Sequence, residues 1–268
     1  MHLVWAALGP EPLRRFATSY RAHAAGMDHR LVLLFKGFGD DGPSAAHLEA
    51  VADLAYERLT YDRPTFDLPA YAAAATALDA SQLCFLNSES ELLADGWLAA
   101  LHGALADPAV GAVGATASYE RPGTINPLRR RRWPRFPNPH LRTNAFMLAR
   151  ELMASLRWPE VRTKSRAWEL ESGRAGFTRQ VWDRGLRTLV VGRDGRAYAP
   201  PEWPASATFR SGAQANLLIA DNRTRQWAEA DPDLRARLSR RAWSDDPEAA
   251  AAAVRRLQSG GPRRGSGA

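Results

Sequence analysis

Leu83-Cys84-Phe85-Leu86-Asn87-Ser88-Glu89-Ser90-Glu91 decides how this chain folds, because an apolar run of strand length ends abruptly in an amide, hydroxyls and carboxylates. A strand that stops this way aims polar side chains past its carboxyl end. In an open α/β sheet that is the crevice where ligands bind, so the cluster suits a phosphate-and-metal or sugar site. The same residues also suit a plain loop in which Ser88 or Ser90 caps the next helix, the one carrying Trp97, Leu98 and Leu101.

Outward from this stretch the chain alternates strand and helix. Upstream, His2 to Leu8 reads as a buried strand broken by Gly9-Pro10, and Leu13, Phe16 and Tyr20 then recur at helical spacing. A second strand is expected at Arg30 to Phe35 and a helix from His47 to Arg58, with Leu48, Val51, Leu54 and Leu59 inward. The Tyr61-Asp62-Arg63-Pro64 turn leads to Phe66-Asp67-Leu68-Pro69-Ala70-Tyr71 and an alanine-rich helix ending near Leu78. Downstream, a helix from Leu92 to Leu105 stops at Asp107-Pro108, and Val110 to Thr116 reads as a strand whose glycines allow close packing. This order predicts an α/β chain, Rossmann-like, with a mostly parallel central sheet flanked by helices.

The middle changes character. Residues 121–140 hold several prolines and the run Arg129-Arg130-Arg131-Arg132-Trp133, a composition of exposed loop. Such a run is either simply solvated, a basic flap over a phosphate-bearing ligand, or a patch for anionic lipid. Order resumes with a strand at Asn144 to Leu148 and a short helix closed by Trp158-Pro159. The segment Lys164 to Arg184 is expected to be helical in its second half, with Phe177, Val181 and Trp182 inward and Gly185 at the C-terminal position. Leu186 to Val191 is a strand followed by a tight turn at Gly192-Arg193-Asp194-Gly195. From Asp231 a C-terminal helical extension and a disordered tail at 259–268 are expected.

Composition bounds the partners. No apolar run approaches the roughly 18 residues a bilayer span needs, and the N-terminus lacks signal-peptide order, so a cytoplasmic protein is expected. The single cysteine, Cys84, falls inside a strand and reads as a buried thiol. The formal charge is +7, and it comes from arginine, since Lys36 and Lys164 are the only two lysines. Arginine's planar fork suits phosphate oxygens, although high genomic G+C content enriches arginine with no functional cause. Nucleic acid is a weak candidate partner: the chain has no helix-turn-helix, zinc-ligand pattern or RNA-binding aromatic signature.

Three segments carry a resemblance: Phe66 to Tyr71, Phe85 to Ser90, and His140-Leu141-Arg142-Thr143-Asn144-Ala145-Phe146-Met147-Leu148-Ala149-Arg150-Glu151. In order and spacing they resemble family 2 type glycosyltransferases of the GT-A fold, and within that group bacterial enzymes related to rhamnan and polysaccharide synthesis. The resemblance spans roughly residues 1–227, implying a nucleotide-sugar half at 1–120 and an acceptor half at 121–227, with peripheral helices at 228–258. It implies transfer of a sugar from a nucleotide-sugar donor to a hydroxyl of a glycan or lipid-linked acceptor, with inversion. A peripheral position at the inner membrane face through Arg129, Arg130, Arg131 and Arg132 is a further expectation.

The family's strand-end motif is usually Asp-x-Asp, whose carboxylates hold a divalent metal against the donor diphosphate. Here Asn87, Ser88 and Glu89 stand at those positions; Asn87 supplies no charge, which weakens binding of Mn²⁺ or Mg²⁺, so either Glu89 still ligates a metal or nearby arginines replace part of its electrostatic role. Asp67 matches a region where the family often places an acidic residue near the ribose, and equally suits a helix N-cap. The candidates for the acceptor's general base are Glu171 and, second, Glu169; Glu171 is favoured because Ser172-Gly173 lets the backbone approach a ligand. Arg174 and Arg179 are candidates for the diphosphate, and His140 for a metal or a sugar hydroxyl. Trp203 and Asp221-Asn222-Arg223-Thr224 are candidates to frame the acceptor, although Asn222 and Thr224 equally suit a turn or cap. The rival reading, prompted by Asn87, is a catalytically weak module that only binds nucleotide sugar.

Overall fold

The apolar run does end a strand. The computed structural model describes residues 1–121 and 131–259; Arg129 and Arg130, like the expected tail from 260 onward, lie outside the described residues. Among those described, eight strands form one sheet: β1 (His2–Trp5), β2 (Val32–Lys36), β3 (Glu57–Tyr61), β4 (Gln82–Leu86), β6 (Val110–Gly114), β9 (Ala145–Ala149), β10 (Arg187–Val191) and β11 (Ala197–Tyr198). Short pairs at its rim join β5 (Glu91–Leu92) to β12 (Ile219–Ala220) and β7 (Ala117–Ser118) to β8 (His140–Leu141). The order across the sheet is β11-β10-β6-β9-β4-β1-β2-β3. Neighbours run parallel except that β9 opposes both β4 and β6, and β11 opposes β10.

Alternation along the strands gives each face its own core. Leu3, Leu34, Phe85 and Phe146 point to one side, where Tyr71 and Phe177 meet them at ring distances of 4.8 Å to Phe85 and 4.9 Å to Phe146. Val4, Leu33, Phe35, Cys84 and Met147 point to the other, under the Glu11–Ala22 and Trp97–Leu105 helices that supply Leu13, Phe16, Trp97 and Leu101. Burial holds the Cys84 thiol up at about 11, so it is an inert core group, as expected. The C-terminal helices, Asn222–Glu229, Pro232–Trp243 and Pro247–Ser259, are anchored by the buried side chains of Trp227, Trp243 and Val254.

Three expectations are corrected. The helix expected over His47 to Arg58 is a five-residue helix, Ala45–Glu49, followed by the edge strand β3. Leu59 and Tyr61 are half-buried in that strand while Glu57, Arg58 and Thr60 are exposed, an alternation of two inward residues too short to read as a strand. The expected helix at Leu92 begins only at Trp97, after Gly96 at φ 72, so neither Ser88 nor Ser90 caps it. Last, the segment Lys164 to Arg184 is helical in its first half as well as its second: Lys164–Ser172 is a helix, with Glu171 in its final turn.

Candidate functional site

The chain lays β2 and β3 on one side of β1 and then returns to place β4 on the other, so the sheet's switch point lies between β1 and β4. Open α/β sheets leave a crevice at that point, beyond the strands' carboxyl ends. A cleft of about 390 Å³ opens there, lined by Trp5 from the end of β1, Asn87, Ser88 and Glu89 from the end of β4, and Asp67 from the Asp67–Ala77 helix. Arg142, Thr143 and Asn144 close the far wall with Lys164, Trp168 and Glu171 of one helix and Asp221 and Arg223 at the start of another. A second lobe of about 300 Å³ continues past Arg142, Lys164, Trp168, Glu171 and Arg223, which line both.

Every carboxylate of the first lobe but one is already paired with a cation. Asp67 takes the ammonium of the buried Lys36 at 3.1 Å, and Lys36 also lies 4.7 Å above the Trp5 ring. Asp221 takes Arg142 at 2.6 Å and caps its helix by accepting from the N–H groups of Arg223 and Thr224. Burial alone would raise the Asp221 carboxyl, yet Arg142 and those two N–H donors outweigh it and hold the group below the usual carboxylate range. Glu89 receives Arg15 at 3.3 Å and Arg225 at 2.5 Å. Glu171, the exception among the described residues, accepts only from Thr143, from its N–H at 2.9 Å and its hydroxyl at 3.1 Å. It stands where the two lobes meet.

The strand-end tip does not fit a divalent metal. Asn87 turns its Oδ1 inward to accept from the Glu89 N–H at 3.1 Å and the Ser90 hydroxyl at 2.9 Å, which closes the turn. Both arginines sit on Glu89 Oε2 and cancel its charge, so the tip lacks the cluster of anionic oxygens that Mg²⁺ and Mn²⁺ require. His140 lines the second lobe while Glu89 lines the first, so these two expected ligands are not brought together. Among the described residues no group of three His, Cys, Asp or Glu side chains could hold a metal. What the wall does offer is hydrogen-bond donors: Ser88 Oγ and Asn144 Nδ2 are buried with no partner among the described residues.

Asp67, Asn87, Ser88, Glu89 and Glu171 therefore share the cleft. Glu169 points elsewhere and pairs with Arg132 at 3.0 Å and Arg166 at 2.7 Å. The closeness expected of Gly173 toward a ligand is instead toward its own helix, since a Cβ there would meet the Glu169 carbonyl at 2.4 Å. Arg174 and Arg179 border a separate hollow with Phe136 and Leu257; Arg174 donates to the Arg131 carbonyl, and Arg179 lies over Trp182. Trp203 is fully buried in the core, away from the cleft, and the exposed aromatic at the junction is Trp168. His140 is buried against the Asn138 carbonyl at 2.8 Å; burial lowers its pKa, partly opposed by Glu171.

Sequence reasoning assigned no site role to Trp5, Lys36, Arg142, Lys164 or Arg210. One signal was present: in a chain that otherwise uses arginine, both lysines belong to this cleft, Lys36 through Asp67 and Lys164 in the wall.

No protein-family model matches the chain, and no curated protein matches it. Among solved structures it is similar to glucosyl-3-phosphoglycerate synthase from Mycobacterium tuberculosis in complex with Mn²⁺, uridine diphosphate and glucosyl-3-phosphoglycerate, at 15% identity, covering 70% of this chain and 68% of that one with a TM-score of 0.45. It is similar to a mannosyltransferase from Pyrobaculum calidifontis in complex with GDP-mannose and Mn²⁺, at 14% identity over 97% and 75% of the two chains, TM-score 0.44. A CMP:2-keto-3-deoxy-manno-octonic acid synthetase bound to CTP aligns at 12% identity over 71% and 88%, TM-score 0.42. None of these concerns rhamnan synthesis.

Proposed function

We propose that this chain is a nucleotide-sugar-dependent glycosyltransferase that moves a sugar, with inversion, onto a hydroxyl of a glycan or lipid-linked acceptor. The observation that carries the reading is Glu171, a carboxylate with no cation partner among the described residues, at the junction of two lobes. In this scheme the donor occupies the first lobe, with the base against Trp5 and Phe66 and the ribose hydroxyls at Asp67. The diphosphate takes the buried donors Ser88 Oγ and Asn144 Nδ2, and its charge is met by Arg142 and Lys164 instead of a metal. The acceptor enters by the second lobe. Its oxygen attacks the anomeric carbon, Glu171 takes the hydroxyl proton, and the bond to the nucleoside diphosphate breaks with the electron pair leaving on phosphate oxygen.

Thermal shift against UDP, GDP and dTDP sugars, with and without Mn²⁺, tests the donor lobe. At a hundredfold excess over Kd a native-state ligand adds about 2.7 kcal/mol, which for a chain of this size is a rise of roughly 5 °C or more. A shift with one nucleotide family, followed by release of the nucleoside diphosphate, supports transfer. A shift without release under any acceptor condition leaves only a binding module, and no shift at all removes the reading. A peripheral contact with anionic lipid belongs to the same proposal. Phe136 (41% exposed) and Leu257 (56%) stand beside Arg135, Arg174 and Arg179, a basic-and-apolar face suited to an anionic leaflet. Flotation with phosphatidylglycerol vesicles but not with phosphatidylcholine vesicles is the expected result; equal behaviour with both contradicts it.

A further inference from the structure

The second lobe carries more positive charge than its own carboxylates neutralise. Arg142, Lys164, Arg210, Arg223 and Arg241 line it against Glu120 and Glu171. Glu120 is shared by Arg210, at 3.2 Å, and Arg241. Arg223 reaches only the neutral Gln226, at 3.4 Å, and Lys164 lies 5.5 Å from the Trp168 ring, so neither has a carboxylate partner among the described residues.

Arg210 is the costly member. It is 4% exposed, its backbone sits at φ 49 in the left-handed region that a side chain rarely adopts, and its Nε is buried with no partner among the described residues. Its guanidinium and that of Arg142 share the Phe209 ring, at 4.8 and 4.3 Å. Burial pushes its pKa down to about 10; Glu120 opposes this, while Arg142, Arg223 and Arg241 repel it further. Strain, an orphaned donor and like-charge crowding at one residue are tolerated where a ligand of opposite charge repays them.

We infer that the second lobe is an oxyanion subsite, in which Arg210, Arg223 and Arg241 hold a phosphate or carboxylate carried by the acceptor. The word acceptor rests on the transferase reading; the subsite itself does not. The test is calorimetric titration of the full chain with inorganic phosphate and, separately, malonate, each with and without saturating UDP. Arg210→Gln removes a buried group and risks the fold, so the deciding variant replaces the exposed Arg223 and Arg241 by Gln. Anion binding that persists in saturating UDP and weakens tenfold or more in that double variant is expected, and whichever anion binds tighter names the acceptor's group. Displacement by UDP puts the anion in the donor lobe and overturns the inference, as does binding of neither anion or equal binding by the variant. If none of UDP, GDP and dTDP binds while anion binding still follows the arginines, the transferase reading falls and the subsite stands.

Discussion

Glu171→Gln separates the proposed chemistry from the architecture that carries it. Glu171 Oε1 accepts two hydrogen bonds from Thr143, and a glutamine can present its own Oε1 to both donors. What changes is the strength of those bonds, from charge-assisted to neutral, a difference of about 1 kcal/mol. For a chain of this length that lowers Tm by roughly 2–4 °C, with the fold intact. The proton acceptor, by contrast, is gone. Losing a positioned general base costs about 10²–10⁴ in rate, or roughly 3–5 kcal/mol of barrier, several times the stability cost. The assay is nucleoside diphosphate release under single-turnover conditions, alongside calorimetric donor affinity in the same variant. Transfer should collapse while the donor Kd stays within about threefold, because the proposed scheme sets Glu171 against the acceptor hydroxyl and not the diphosphate. Transfer within about tenfold of the parent, or donor affinity lost in step with rate, refutes the assignment of Glu171 as base.

Three further outcomes are expected. Asp221→Asn keeps a competent helix cap but leaves the Arg142 guanidinium (12% exposed) without its anion, so urea unfolding should show a loss of about 3–5 kcal/mol at neutral pH. Because the folded Asp221 pKa is depressed, its contribution is fully present above the unfolded value of about 3.9 and disappears as pH falls through the lower folded value; parent and variant should therefore converge below about pH 4. Nucleotide affinity should change less than about threefold between chelator and millimolar Mg²⁺ or Mn²⁺, since the Glu89 carboxylate is committed to Arg15 and Arg225; a strong metal requirement in calorimetry contradicts that account of the tip. Gly111→Ala drives a methyl to 2.7 Å from Val181 and 2.8 Å from Leu186, an overpacking that should cost about 1–3 kcal/mol, read as a lower Tm with no change in donor binding.

The elements legible in the sequence were those whose burial repeats along the chain. β1, β2, β4, β6, β9 and β10 lie almost wholly inside, and their residues form apolar runs with glycine, proline or polar breaks at the ends. The parallel sheet follows from the helices between them. β3 was not legible because an edge strand hydrogen-bonds on one side only, to β2, and its Glu57, Arg58 and Thr60 remain in solvent. The direction of β9 was equally hidden. A strand buried on both faces has the same composition whichever way it runs, and only the register, with Leu83 opposite Leu148 and Cys84 opposite Met147, reveals that it opposes β4.

The site divides along the same physical line. Asn87, Ser88 and Glu89 were legible because they are contiguous and sit where a buried strand must end, and Glu171 because a carboxylate stands two residues before a glycine. The charges that would hold a diphosphate and a second anion were not, Arg223 of the Asp221-to-Thr224 stretch apart, since Arg142, Lys164, Arg210 and Arg241 come from separate segments, each a surface arginine or lysine in linear view. Nor does the sequence say which charges are already spent. Glu89 reads as a free metal ligand until Arg15 and Arg225, 74 and 136 residues away, are found on it. The net charge of the chain is a sum over all such pairs, so it points to an anionic partner without locating one. The location comes from the cations left over after pairing, and Lys164 and Arg223, which have no carboxylate among the described residues, both stand on the wall that the two lobes share.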